Sequence, residues 1–395
     1  MLSRRRPLAA SLLLALALPG CPTPPAPPED AAARDDAAMP HDAGRDAAAT
    51  DDAGLDAFVP PDALVPIDVG NDAYVVDVGV DAALPPCVGP PGLYTGDDCT
   101  QLADGVRPYH PRYELWSDGN DKERFLYLPP GTQIDTSNPD RWGFPVGTRV
   151  YKTFLIAGER IETRILEKIA APRAVESWTM TSWVWSADQR SVSLASPFGV
   201  RNVRGTGHDI PSRAECERCH TVAQDDTVNG FSAVQLAHDE GGVTLAMLNA
   251  DGWLTAPIDP ADAQIPGDAT TSAALGYLHA NCGNCHGGPA PEHGLDYWFR
   301  VGITDPTATP AYTTAVCGCS VWTTSVGGTL ANLRIAPHHP EVSISTLRMQ
   351  SRVATEQMPP IGSRIPDPDG IALVSAWITS LDETANGCPH GCPWP

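Results

Sequence analysis

Positive charge is what this 395-residue chain has least of: 26 Lys and Arg stand against 48 Asp and Glu, a formal net charge of −22. About half of that charge lies in residues 22–86, and the remainder is mildly acidic, which argues against nucleic acid as a partner. Long apolar runs are missing too. The one candidate, Leu8 to Leu18, is too short to span a bilayer as a helix. No Gly-X-Ser-X-Gly, Walker loop or His-Glu-X-X-His occurs, so these hydrolase, nucleotide-binding and zinc-protease signatures are absent. The many aspartates form no Asp-X-Asp-X-Asp-Gly loop, which removes the calcium-loop reading.

What is present begins with an address. Met1-Leu2-Ser3-Arg4-Arg5-Arg6 is a positive leader, followed by the Leu8–Leu18 run and Leu18-Pro19-Gly20-Cys21. Residues 1–20 therefore read as a signal peptide. The Leu-Pro-Gly-Cys ending resembles a bacterial lipobox, although Pro19 is unusual in it. That resemblance implies cleavage before Cys21 and lipidation of its thiol. The expected location is the cell envelope, outside the cytoplasm, with a lipid anchor in the inner or outer membrane and the protein facing the periplasm or the cell surface. Residues 21–86 then run in a loose Asp-Ala cadence with many prolines, and only Arg34 and Arg45 oppose the aspartates. A segment that buries so little and repels itself is expected to be a disordered tether.

Two pentapeptides carry the chemistry: Cys216-Glu217-Arg218-Cys219-His220 and Cys282-Gly283-Asn284-Cys285-His286. Cys-X-X-Cys-His is the attachment signature of c-type haem. Two thiols add to the two vinyl groups of one porphyrin, and the adjacent His offers a ring nitrogen to the iron. Two copies in an exported chain predict two covalent haem c groups. Cys216, Cys219, Cys282 and Cys285 would be the anchors, with His220 and His286 the first iron ligands. Of the 11 cysteines, setting aside these four and Cys21 leaves Cys87, Cys99, Cys317, Cys319, Cys388 and Cys392. Cys87 and Cys99 are expected to pair, and the Cys317/Cys319 and Cys388/Cys392 groups to bridge the tail to the body. A zinc site from the latter four is the rival.

Between about Tyr109 and Gly205 the hydrophobic pattern has a period near two. It is clearest in 124–128, 150–156, 161–166 and 178–185, and Ala157-Gly158-Glu159-Arg160 looks like a hairpin connection. An antiparallel β-rich domain is expected over 87–205. The stretch Glu114–Lys122, containing Trp116-Ser117-Asp118-Gly119, reads as a capped turn opening the first strand, with a binding loop as the alternative. Helices are expected over 271–281, with Ala274, Leu275, Tyr277 and Leu278 apolar, and over 370–381, with Ile371, Val374, Trp377, Ile378 and Leu381 inward. Shorter helices are expected near 244–249 and 345–349.

A helix leading into Cys-X-X-Cys-His, a Met358-Pro359-Pro360 loop and a closing Trp-bearing helix together resemble a class I cytochrome c domain. The resemblance implies His286 as proximal and Met358 as distal iron ligand. Met349 is the competitor, though apolar packing would account for it, and Arg348 is a haem-propionate candidate. More widely, the order from the Trp-Ser-Asp-Gly region through Ile210-Pro211-Ser212-Arg213 and Leu278-His279-Ala280-Asn281 to Met-Pro-Pro resembles bacterial diheme c-type cytochromes. The stretch 311–326 looks like an insertion in that pattern. The fold class implied is multidomain α+β: tether, β-rich domain, a first haem module over 206–265, and a class I-like cytochrome c domain over 266–395. The first haem lacks an obvious sixth ligand. Met247 is the first candidate, with His208, His238, His279 and Met180 as alternatives.

The function expected is electron transfer between redox protein partners, with iron cycling between Fe(II) and Fe(III), rather than turnover of a substrate of its own. The alternatives are a diheme oxidoreductase, peroxidase-like or small-molecule-oxidising at an open or His-bound first haem, and a β-domain binding module wired to a respiratory chain.

Overall fold

Alternating side chains along 121–185 produce a meander. In a computed structural model, residues 85–220, 226, 228–288, 291–326, 329–382 and 388 are described. The leader 1–20, Cys21, the tether up to residue 84 and Cys392 lie outside the described residues. Two short strands pair first, β1 (Tyr94–Thr95) with β2 (Gln101–Leu102), beside the expected Cys87–Cys99 disulfide. A six-stranded sheet follows, antiparallel throughout and hydrogen-bonded in chain order: β3 (Val106–Pro108), β4 (Asp121–Tyr127), β5 (Arg149–Ile156), β6 (Glu159–Lys168), β7 (Trp178–Trp185) and β8 (Val192–Leu194). The expected hairpin is there, with Ile156 paired to Glu159 across Ala157 and Gly158. Both turn residues have positive φ, 51° and 82°. That is the pattern of a two-residue turn whose twist matches the flanking strands.

The register brings together residues that the sequence leaves apart. Arg124 lies opposite Lys152, and Lys152 opposite Arg164, so three cations form a row across β4, β5 and β6 on one face. Like charges directly opposite each other destabilise a sheet unless something anionic offsets them.

The helices are α1 (Arg213–His220), α2 (Ala233–Leu236), α3 (Leu245–Ala250), α4 (Ala269–Asn281), α5 (Pro310–Ala315), α6 (Ile344–Gln350) and α7 (Pro368–Ser380). Together with the sheet they make a mixed α+β fold. Polar caps set the starts of the two long helices. Asp268 accepts from the Thr271 amide at 2.7 Å, and Asp367 accepts from the Gly370 amide at 3.0 Å with Pro368 following it. Their apolar faces meet as expected: Ala274, Leu275 and Leu278 of α4 share a core with Val374, Trp377 and Ile378 of α7. Burying side chains of this size contributes about 1.5–3 kcal/mol each. Gly370 lies at the crossing because a Cβ there would collide with the Tyr277 ring.

The stretch 311–326, taken from sequence as an insertion, supplies α5 and the first strand of a hairpin, β9 (Cys319–Val326) with β10 (Thr329–Leu333). Cys317 bridges to Cys388, and Cys319 is also disulfide-bonded, so the tail is pinned to the body. A second core runs beneath the sheet. It joins Leu126, Phe144, Val150 and Trp178 to Phe231, Leu236, Leu245, Leu248 and Leu254. The sheet and the segment after the first Cys-X-X-Cys-His therefore share one interior. Among the described residues, no helix is long and apolar enough to cross a membrane.

Candidate cofactor site

The first motif occupies α1, a helix with no buried face of its own. Its start is held by a reciprocal cap: Ser212 donates its amide and hydroxyl to Glu215 at 2.7 and 2.9 Å, and the Glu215 amide returns to Ser212 Oγ at 3.3 Å. Arg213 fastens the helix to the sheet by donating to the Trp178 carbonyl at 3.1 Å. Beyond His220, Asp226 is fully buried and anchors the chain again. It accepts from Phe144 N at 2.8 Å and Trp178 Nε1 at 3.0 Å, and it pairs with the equally buried Lys168. The second motif follows directly from α4, with Cys282 as the cap residue. The His286 amide donates to Cys282 O at 2.7 Å, and the His286 ring meets Tyr297 edge-on at 6.2 Å.

The two motifs meet. Cys219 Sγ and Cys285 Sγ are 3.8 Å apart, and Cys285 Sγ also approaches the Arg218 carbonyl at 4.0 Å. Cys216, Cys219, Cys282 and Cys285 are not disulfide-bonded, whereas Cys87, Cys99, Cys317, Cys319 and Cys388 are. Cys216, Cys219 and Cys282 are not activated as nucleophiles. Burial pushes Cys282 up to about 12 and raises Cys216, while the hydrogen bond with Cys285 and then burial raise Cys219. Redox-active Cys-X-X-Cys pairs need the opposite shift. Nor do these thiols assemble a metal cage. Among the described residues, no group of three or more His, Cys, Asp or Glu side chains is arranged to hold an ion.

The loop 114–122 was expected to be a capped turn opening β4. The structure gives it more to do. Trp116 N donates to Asn281 Oδ1 at 2.7 Å, and Asn281 Nδ2 returns to the Glu114 carbonyl at 3.0 Å, which clamps the residue just before Cys282. Asp118 accepts from the Arg364 and Ile365 amides at 2.7 and 3.0 Å, and Trp116 Nε1 donates to the Ile365 carbonyl at 3.1 Å. The loop thus ties the sheet to the end of α4 and to the segment after Met358. Its Trp and Asp were visible in the sequence, but their long-range partners were not.

The candidate axial ligands divide. Met349 is buried in the α4–α7 core, a packing role. Met358 is half-buried outside the apolar cores, with its amide tied to Arg348 O at 2.9 Å. Met247 packs beside Leu245 and Leu248 against the core beneath the sheet, and Met180 packs on the same core. Two of the three alternative histidines have both ring nitrogens engaged, and the third, His279, has one, its Nε2 being buried without a hydrogen-bond partner. His208 faces Glu162 through Nε2 at 2.7 Å and Asn120 through Nδ1 at 3.1 Å. His238 uses Nε2 toward the His110 carbonyl at 2.8 Å and accepts from Glu240 N at 3.2 Å. His279 accepts from Phe299 N through Nδ1 at 3.1 Å. The neutral ring then carries its proton on Nε2, leaving no lone pair there for iron. Arg348, the propionate candidate, donates instead to the Glu356 carbonyl at 2.7 Å.

No protein-family model, curated protein or solved structure matches the chain.

Proposed function

We propose that the chain is a diheme c-type cytochrome that transfers electrons outside the cytoplasm, with Cys21 as its lipid anchor and redox proteins as donor and acceptor. One observation carries the reading. Two Cys-X-X-Cys-His motifs keep their thiols out of disulfides in a protein whose other described cysteines are disulfide-bonded, and the motifs meet at Cys219 and Cys285. The donor set fits haem c. Cys216 and Cys219 would hold one group and Cys282 and Cys285 the other, with His220 and His286 as iron ligands and Met358 as the second ligand beside His286. When bound, each haem would supply an iron that takes up and returns one electron.

The chain's own residues fix the geometry in which this happens. The Ser212–Glu215 cap and the Arg213–Trp178 bond hold α1 against the sheet. The 114–122 loop fixes the end of α4 through Asn281. With both supports in place, the adjacent thiols keep the two attachment sites side by side, which favours exchange between them over exchange through solvent. The helices α4 and α7 with the Met358 loop would form the class I-like cytochrome c part, and α1 the smaller first-haem module.

A second reading has its own support. Met247 and Met180 are engaged in the core and His208, His238 and His279 in hydrogen bonds. An iron held by His220 would then keep an open position, as in a peroxidase-like oxidoreductase acting on a small molecule. A pyridine haemochrome assay on the full chain expressed with haem-attachment machinery tests the main reading. Two haems per chain are expected, and one in Cys282→Ala/Cys285→Ala; a chain carrying none removes it. Ferric spectra then choose between the readings: two low-spin centres indifferent to hydrogen peroxide favour electron transfer, and a high-spin centre that responds favours the oxidoreductase.

A further inference from the structure

A cavity of about 380 Å³ lies where five segments converge: the 114–122 loop, the Phe154–Arg164 face of the sheet, the stretch 201–211, the start of α1, and the stretch 352–364 around the Met-Pro-Pro loop. Four arginines line it. Two are neutralised by acids of the same wall: Arg201 pairs with Asp209 and Glu215 at 3.3 Å each, and Arg364 approaches Asp209 at 3.6 Å. Arg164 gives Nε and a terminal nitrogen to the buried Glu162 at 2.8 and 2.9 Å. Arg352 feels the Asp118 carboxylate of the lining, which accepts instead from the Arg364 and Ile365 amides. It donates to its own Ser351 carbonyl, and its buried Nε has no hydrogen-bond partner. Ser363, also on the lining, is 8% exposed, and its Oγ is likewise unpartnered.

Unsatisfied buried donors are costly, about 1–3 kcal/mol each, and natural structures rarely keep them without a reason. A second, independent observation points the same way. Arg164 is the inner end of the Arg124–Lys152–Arg164 row, in which Glu114 and Glu162 are the compensating carboxylates. Burial, then Arg124 and Arg164, pull the Lys152 ammonium well below its ordinary value, as expected where cations outnumber anions. Arg164 is also within electrostatic reach of Cys216 and Cys219, and Arg352 of Tyr277, itself a neighbour of Cys282. The cavity lining includes Glu215 of α1, the helix of the first motif, and Gln357 and Pro360 on either side of Met358.

We propose that this cavity is a carboxylate-binding site in which the Arg352 guanidinium and the Ser363 hydroxyl donate to the carboxylate, while the Arg124–Lys152–Arg164 row, whose cations outnumber its carboxylates, adds positive potential. A guanidinium fork together with a hydroxyl matches the planar, multi-acceptor geometry of a carboxylate. The carboxylate has two sources with the same chemistry: a propionate of a haem attached at either motif, which rests on the reading above, or a small dicarboxylate from solution.

The experiment uses the full haem-loaded chain, potentiometric titration and calorimetry with succinate as the probe. If the site holds a propionate, Arg352→Gln lowers the midpoint potential of one haem and leaves the other unchanged. Arg352→Lys, which keeps the charge, retains the wild-type value, and succinate does not bind. If the carboxylate comes from solution, succinate binds the wild type, and Arg352→Gln weakens that binding at least tenfold. Unchanged potentials together with no succinate binding overturn the site. A chain found to carry no haem defeats the diheme reading alone; succinate binding then decides the cavity by itself, and its absence overturns the proposal.

Discussion

Asp226 is the point at which the segment after the first motif is tied to the sheet, and its removal has a calculable cost. Its carboxylate and the Lys168 ammonium are both 0% exposed. Lys168 has one other acceptor, the Pro172 carbonyl at 2.8 Å. Asp226→Ala leaves that ammonium in the interior without its counter-ion and strips the acceptor from Trp178 Nε1 and Phe144 N. Breaking a buried pair from one side costs about 3–5 kcal/mol, against a total stability on the order of 5–15 kcal/mol for a domain. Lys168→Met alone is expected to cost a similar amount, because it leaves the carboxylate uncompensated. The double variant Lys168→Met/Asp226→Ala should cost less than the sum, with a coupling of about 1–3 kcal/mol. Equilibrium unfolding in guanidinium chloride with disulfides intact measures all four corners of the cycle. If Asp226→Ala costs under about 1 kcal/mol, or the two changes simply add, the pair is not the buried anchor described here. Hydrogen exchange supplies a local check, since amides of α1 should lose protection in Asp226→Ala before those of α7.

Two further outcomes follow from the helical part. Gly370→Ala places a methyl group against the Tyr277 ring at the α4–α7 crossing. It should lower stability by about 1–3 kcal/mol, the usual cost of overpacking; thermal unfolding checks this, and Tyr277→Leu in the same chain should recover part of the loss. His279 is buried, and that burial, assisted by Arg300, depresses its pKa to about 3 from 6.5. The unfolded chain therefore takes up a proton below about pH 6.5 that the folded chain refuses until about pH 3. Stability should fall with acidification across that window by about 1 kcal/mol per pH unit from this residue. Chemical denaturation at pH 7 and pH 5 tests the slope, which should flatten in His279→Gln.

The parts of the fold that were legible in the sequence are those encoded within a few residues. Strands β4 to β7 declare themselves by alternation, and the Ala157-Gly158 turn by its flanking strands. The long helices are bounded by Asp268 and by Asp367-Pro368. What escaped depends on tertiary closure. The partners of Trp116 and Asp118 lie far along the chain in Asn281, Arg364 and Ile365. The common interior of Phe144 and Phe231, and the β9–β10 hairpin whose first strand falls in the stretch 311–326 taken for an insertion, carry no distinctive local period. The candidate site divides the same way. The motif residues are fixed by spacing, whereas the engagement of His208, His238 and His279 is a property of their surroundings, and single residues in a sequence do not carry it.

The 3.8 Å approach of Cys219 to Cys285 also bears on how such a protein is assembled. Each thiol is the second anchor of its own motif, so the folded chain brings the last bond of one attachment against the last bond of the other. On the diheme reading, loading must precede closure of the Cys219–Cys285 contact, while the two pentapeptides are still apart and accessible. A chain that folded first in an oxidising compartment would hold two thiols close to bonding distance and would tend to join them, sealing both sites against their cofactors. On that same reading, the order of biogenesis would be cofactor first and tertiary structure second, set by the contact between Cys219 and Cys285.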